Sequence, residues 1–417
     1  MPLAPDPAPV APGERTPDEP RRRPVLRPSR RSQVPPFTVM TVLQAVAEAR
    51  AQGRDVISLC AGEPGQGAPG PVRDAAISTL TAAIPLGYSE TRGILTLRQR
   101  IAGHYRRWYD LDVDPASICL TTGSSAAFQL AFLAAFDPGD RVAVARPGYP
   151  AYVNILAALG IEVVELDTGA DVRFQPTVSL LAATHAERPL AGLVLASPAN
   201  PTGTMVRDDE LAAMLAWCAT NGVRVISDEI YHGVTYTGSV GTCAWAHDRS
   251  AAVVVSSFSK YWGMTGWRLG WMLMPEDLAS SIDALAGNLA LCAPVPAMHA
   301  AVAGFTEAAY AECEAAVAGF GEARRLVLDA LPDLGWVDVA PADGAFYVYA
   351  GIAPVLGPYA DSVAWCRALL EREDVAVTPG IDFDSARGHE HIRLSLAPGP
   401  VAVAEALRRI LRFQAAL

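Results

Sequence analysis

The 417-residue sequence predicts an α/β protein in which a mainly parallel sheet sits in a large three-layer domain beside a smaller α+β domain. Three observations carry this. Short strand-like segments rich in Val, Ile and Leu lack in–out alternation, the mark of strands covered on both faces. Helix-like segments separate them, as crossovers between parallel strands require. A long Ala- and Glu-rich helical stretch at about 306–331 then ends the alternation, and a different mixture of strand and helix follows it.

Residues 1–32 are rich in Pro, Ala and Arg, include the run Arg21-Arg22-Arg23, and hold few large apolar residues. That composition predicts a disordered tail, with an anion-binding arm as the sharper alternative. Residues 33–60 are assigned to the small domain. Val39 to Gln52 fits an amphipathic helix and Val56 to Cys60 a short strand. Residues 61–305 form the large domain. Its strands are expected at Ile118–Thr121, Arg141–Ala145, Glu162–Leu166, Gly192–Ala196, Arg224–Ser227, Ala252–Ser256 and Leu269–Met274, with helices at about 125–136, 150–159, 207–221 and 276–287. Residues 306–417 complete the small domain and end in a helix at about 401–414.

Composition narrows the function. The chain is 51% hydrophobic and 18% charged, the balance of a globular protein. A net charge of −11 argues against a general nucleic-acid or anionic-membrane binder. No apolar run is long enough to span a membrane, and the N-terminus lacks the apolar core of a signal peptide. The cysteines at 60, 119, 218, 243, 292, 313 and 366 are odd in number and lack CxxC spacing. They read as buried thiols in a reducing, cytoplasmic setting, and no metal site is expected.

Lys260 is the only lysine among 33 basic residues. A GC-rich genome explains why arginine replaces lysine elsewhere, but not why one amine remains. Arginine stays protonated, whereas a buried lysine can lose its proton and attack a carbonyl. A lysine Schiff base with an aromatic aldehyde cofactor needs a carboxylate against the pyridine nitrogen, hydrogen bonds to the phenolic oxygen, and a phosphate cradle. Each has a candidate. Asp228 ends the apolar strand Arg224-Val-Ile-Ser-Asp228, facing the crevice of an open sheet; taken alone, such a residue is more often a helix N-cap or turn residue. Asn200, in Asn200-Pro201-Thr202-Gly203, can donate to the phenolate or simply form a turn. Ser124 and Ser125 open a helix whose free amides suit a phosphate; alone, either serves equally as an ordinary N-cap. Ser257 and Arg268 flank the lysine, and Tyr149 can stack on a ring or pack in the core.

These residues lie in a longer series of landmarks: Gly62-Glu63-Pro64, Tyr88 with Gly93 and Leu97-Arg98, Gly123-Ser124-Ser125, Tyr149, Asn200-Pro201-Thr202-Gly203, Asp228-Glu229-Ile230-Tyr231, Ser257-Phe258-Ser259-Lys260, Gly266-Trp267-Arg268-Leu269-Gly270, Gly344-Ala345-Phe346-Tyr347 and Arg393-Leu394-Ser395. In this order, over residues 33–417, the chain resembles the class I/II aminotransferases, fold-type-I pyridoxal-phosphate enzymes of the aspartate/aromatic type. The resemblance implies a fold-type-I transferase architecture, pyridoxal 5′-phosphate as cofactor, and transfer of an amino group between an amino acid and a 2-oxo acid. It implies Lys260 as the Schiff-base lysine and proton shuttle, and Asp228 as partner of the pyridinium. Asn200 and Tyr231 would bond the phenolic oxygen and Tyr149 would stack on the ring. Ser124, Ser125, Ser257 and Arg268 would hold the phosphate. Tyr88 would reach the neighbouring subunit's phosphate in a homodimer with shared sites. Arg393 and the Gly62 backbone, beside Asn200, would bind the substrate.

Two departures touch the substrate region. Gly65-Gln66-Gly67-Ala68-Pro69 lacks the aspartate often seen there, and Asp384 follows Phe383 where glycine is usual. Between Leu269 and Ala323 there is no Lys or Arg, and Asn288–Met298, which could supply a second cation, is apolar. A neutral, apolar or aromatic substrate side chain is therefore expected. The same cofactor chemistry also allows a lyase, oxidase or decarboxylase. A non-enzymatic regulator of this fold is the remote alternative, for which the short tail leaves no DNA-binding domain.

Overall fold

In the computed structural model, which describes residues 26–82 and 85–417, the chain opens with α1 (Thr38–Ala51) and the short β1 (Ile57–Ser58). Most of the predicted tail lies outside the described residues; Leu26 to Ser32 is exposed. α2 (Gly70–Thr81) and α3 (Leu95–Tyr109) lead into a long alternating stretch. There β2 (Ile118–Thr121), α4 (Gly123–Ala135), β3 (Arg141–Arg146), α5 (Pro150–Leu159), β4 (Glu162–Asp167), α6 (Val178–Glu187), β5 (Gly192–Ala196), α7 (Asp208–Thr220) and β6 (Arg224–Asp228) alternate strand with helix. β7 (Ala252–Ser257), β8 (Gly270–Leu273), α8 (Glu276–Leu289) and α9 (Val295–Ala301) complete this part.

The seven strands β2 to β8 stand in the order β2-β8-β7-β6-β5-β3-β4. All neighbours are parallel except β8, which runs antiparallel to both β2 and β7. β7 reads Ala-Val-Val-Val-Ser-Ser and is buried at every position, as its unbroken apolar run predicts. β4 forms one edge and carries Glu162, Glu165 and Asp167; edge charges deter pairing with a second sheet.

α10 (Glu307–Leu334) follows, capped at its start by the Thr306 hydroxyl accepting from Ala309 N–H and ended by Gly335 at φ 64°. A side-chain acceptor at the N-terminus and a left-handed residue at the C-terminus satisfy the free backbone groups of a helix. Then come β9 (Tyr347–Gly351), α11 (Ser362–Glu373), β10 (Val375–Ala376), β11 (Thr378–Pro379), β12 (His391–Ser395) and α12 (Pro400–Ala415). β11, β12 and β9 make an antiparallel sheet in which Arg393 lies opposite Tyr349 on one side and Thr378 on the other. β1 pairs in parallel with β10, stitching the N-terminal segment to the C-terminal one. A separate apolar cluster joins Val46 and Ala49 of α1 and Val56 and Cys60 beside β1 to Leu370 of α11 and Ala376 of β10. Fully burying an aliphatic or aromatic side chain contributes on the order of 1.5–3 kcal/mol, so Val46 helps to hold α1 in place.

The parallel strands β5, β6 and β7 all end on the same side. Their carboxyl ends deliver Asn200, Asp228 and Lys260 to one crevice, which is where open α/β sheets bind ligands.

Candidate active site

The crevice is a cleft of about 410 Å³. It gathers Gly62, Ser124, Ser125, Tyr149, Asn200, Asp228, Tyr231, Lys260, Arg268 and Arg393, ten positions spread over more than three hundred residues of sequence. Ser257 and Tyr88 are not among its lining residues. Ser257 is buried, and its hydroxyl is directed to Leu269 O at 3.2 Å and Ser259 Oγ at 2.9 Å while accepting from Ser259 N–H. The neighbouring Ser259 faces the cleft instead. Tyr88 is 83% exposed on the outside of its own chain.

Lys260 Nζ donates to Gly62 O at 2.5 Å and stands 5.6 Å from the Tyr231 ring and 6.0 Å from the Phe346 ring. Burial lowers its pKa to about 8, helped by the positive charge of Arg393 and opposed by Asp228. A lysine so placed holds a larger fraction of neutral amine near neutral pH than an exposed one. Asp228 is 3% exposed. Burial pushes its pKa up to about 6, while a hydrogen bond from the Tyr152 hydroxyl, another from Ile230 N–H, and Lys260 pull it back. A buried carboxylate held short of full neutralisation is primed to meet a cation in the cleft.

Arg393 donates from Nη1 to Asn200 Oδ1 and from Nη2 to Cys60 O, both at 2.9 Å. Its guanidinium lies between two rings, 4.4 Å from the centroid of Tyr347 and 4.7 Å from that of Phe383. Nε is buried without a partner. The bond from Arg393 also turns Asn200, so that its amide N–H₂ remains free to donate. The Tyr231 and Tyr347 hydroxyls meet at 2.9 Å. Tyr149 is stacked against Phe37 at 6.4 Å between centroids.

Opposite Lys260, α4 starts at Gly123, with Ser124 and Ser125 in its first turn. Gly123 takes φ 70°, and a Cβ there would come within 2.6 Å of Arg268 Nη2. Gly270 is equally confined: a Cβ would meet Ser124 N at 2.8 Å. Only glycine allows the guanidinium and the helix N-terminus to converge. Free amides, the positive end of the helix dipole, serine hydroxyls and Arg268 together form an anion cradle. The cradle, the buried carboxylate and the lysine match the three parts of pyridoxal phosphate, so the residues present fit that cofactor.

Tyr152, Ser259, Phe37, Asp382 and Phe383 are cleft residues that the sequence reading did not assign to the site. Tyr152 was legible in principle, since Tyr149 and Tyr152 are three apart around the start of α5 and so share a face. Phe37 and Asp382 come together only through tertiary folding.

Residues 54–410 match the family "Aminotransferase class I and II", and the chain belongs to it. It is a pyridoxal-phosphate-dependent aminotransferase, of the aspartate/aromatic type in its relatives and fold type I in its architecture. Among its relatives, the valine–pyruvate aminotransferase of Mycobacterium tuberculosis is 51% identical over 381 residues, covering 91% of this chain and 96% of the relative. The crystal structure of an aminotransferase from Mycobacterium tuberculosis superposes with a TM-score of 0.91 at 49% identity, covering 94% of this chain and all of the other. Aspartate aminotransferase from Thermus thermophilus with maleate superposes at 0.86 with 31% identity, over 93% of this chain and all of that one. These matches favour transamination over the lyase, oxidase, decarboxylase and regulator alternatives.

Proposed function

We propose that this aminotransferase moves an amino group between a neutral, aliphatic amino acid and a 2-oxo acid. The observation that carries the reading is the makeup of the cleft. Among the described residues of this chain, the cations lining it are Lys260, Arg268 and Arg393. Once the first holds the cofactor, the second its phosphate and the third the substrate α-carboxylate, none of these is left for an acidic side chain. The edge of α1 that borders the cleft is apolar: Phe37, Val39, Met40 and Leu43. The valine–pyruvate activity named for the relative at 51% identity supports the same reading.

Pyridoxal phosphate supplies an electron sink when bound. Lys260 would hold it covalently and move the proton at the substrate Cα. Asp228 would face the pyridine nitrogen, and Asn200 and Tyr231 the phenolic oxygen. Tyr149 would stack on the ring. Ser124, Ser125, Ser259 and Arg268 would take the phosphate, with Ser257 bracing Ser259 or joining it after rotation of its hydroxyl. Arg393 would pair with the α-carboxylate bidentately, with the Gly62 backbone lining that pocket. Tyr88 would serve the partner's phosphate in a homodimer; its exposure, and that of Ile77 and Leu80 on α2, fit an interface. The β1–β10 pairing supports grouping residues 33–60 with 306–417 as the small domain, apart from 61–305. No helix among the described residues is long and apolar enough to cross a membrane. The cysteines are all unpaired, in keeping with a cytoplasmic setting.

The test is kcat/KM for valine, leucine, methionine, phenylalanine, aspartate and glutamate on the holoenzyme. Valine and leucine should exceed both acids by at least about tenfold, a gap of about 1.4 kcal/mol. An acid as the best donor would contradict the reading.

A further inference from the structure

The cleft carries six charged side chains among the described residues: Glu63, Asp228, Lys260, Arg268, Asp382 and Arg393. The proposed function employs Asp228 and the three cations. The two that remain are both carboxylates. Glu63 is exposed, so water and salt screen its field. Asp382 is half-buried and has a defined structural task.

α1 has no side-chain cap of its own: Phe37 stands at the N-cap position. The cap arrives from 344 residues away. Asp382 accepts from Thr38 N–H through Oδ1 and from Val39 N–H through Oδ2, each at 2.8 Å. A carboxylate at a helix N-terminus satisfies free amides and complements the helix dipole. The next residue, Phe383, lies 4.7 Å from the Arg393 guanidinium. One two-residue segment therefore links the apolar edge of α1 to the anchor for the α-carboxylate. A further cavity of about 260 Å³ lies behind Phe37 and Tyr149, and Asp382 lines it too. Without the anchor, Phe37 would have space to withdraw.

We propose that Asp382 is a specificity-determining residue of this enzyme: it positions the apolar edge of α1 over the substrate side chain and repels acidic side chains from the same place. The proposal rests on the neutral-donor reading above. Two carboxylates confined to a partly desolvated cleft repel strongly enough to set selectivity, whereas a neutral side chain meets only the positioned apolar wall.

The experiment compares the holoenzyme with Asp382→Asn and Asp382→Ala, using valine and glutamate as donors. Asparagine keeps the shape and one acceptor but removes the charge. The expected result for Asp382→Asn is a lower kcat/KM for valine, chiefly through KM, together with a higher kcat/KM for glutamate. The valine-to-glutamate ratio should fall about tenfold or more. Alanine should lower valine turnover further, because α1 loses its anchor as well. A purely structural role would depress both donors alike. An unchanged ratio in Asp382→Asn, with cofactor absorbance retained, overturns the proposal while leaving the function intact. A wild-type enzyme that prefers glutamate overturns the neutral-donor reading itself. Should Asp382→Ala fail to fold, the asparagine variant still decides the matter.

Discussion

The phenol of Tyr152 donates a hydrogen bond to the buried carboxylate of Asp228, so the group assigned to the cofactor ring, at the end of β6, has a dedicated donor from α5. Tyr152 is itself buried and its pKa is raised well above the usual value by burial and by the neighbouring carboxylate, so it remains a donor across the working pH range. A hydrogen bond to an ionised group contributes about 1.5–3 kcal/mol. Tyr152→Phe should therefore lower kcat by about tenfold or more and leave the α-carboxylate site alone. Near-normal kcat with altered KM would assign Tyr152 to substrate binding instead.

Asp228 sets a conflict between stability and function in the cofactor-free protein. Its folded pKa of about 6 lies above the ordinary value of 3.8. The raised value favours the fold fully below pH 3.8, and that advantage is lost as pH rises through 6. The buried charge then destabilises the cofactor-free fold by up to about 3 kcal/mol. Asp228→Asn removes that charge. Its melting temperature relative to wild type, both without cofactor, should rise between pH 5 and pH 8. The holoenzyme variant should lose on the order of 10²–10³ in rate. A relative melting temperature that falls over this pH range would mean the carboxylate is stabilised by something other than the cofactor.

Arg393 should not tolerate lysine. The guanidinium is sandwiched by Tyr347 and Phe383 and bonds Asn200 and Cys60 from two different nitrogens. An ammonium cannot stack or fork in this way. Arg393→Lys should raise KM for amino and 2-oxo acids together, and Arg393→Ala by about 30-fold or more, from the 2–5 kcal/mol of a truncated buried charge partner. A rise confined to one donor would place Arg393 at the side chain rather than the α-carboxylate.

Tyr88 should act in trans. In a mixture of Lys260→Ala and Tyr88→Ala, each hybrid dimer would hold one intact site, giving about a quarter of full activity after random exchange. A fully active monomer would remove the shared-site arrangement.

The seven-stranded sheet was legible because its strands are continuous apolar runs and helices intervene; β2 and β5 occupy the predicted residues, β3, β4, β6 and β7 run one residue further, and β8 is shorter by one residue at each end. α2 and α3 were not resolved individually. α2 leaves Ile77 and Leu80 exposed, so its apolar residues do not trace one buried face. α3 does carry a readable stripe in Leu97, Ile101 and Tyr105. Within the site, residues at strand ends could be found from sequence because the topology delivers them there. The Asp382 contact to Thr38 and Val39 could not, since nothing local in either segment signals it. The direction of the Ser257 hydroxyl likewise depends on Leu269 O, twelve residues on.

Lys260, the single lysine, is the residue proposed to carry the cofactor. At a folded pKa of about 8 rather than 10.5, its amine should react with added pyridoxal phosphate at a rate that climbs with pH to a midpoint near 8. The most direct measurement is borohydride reduction of the holoenzyme followed by peptide mapping. The label should sit at residue 260 alone and vanish in Lys260→Ala. A label that persists in Lys260→Ala could lie only on the N-terminal amine, and it would show that Lys260 is not the point of attachment.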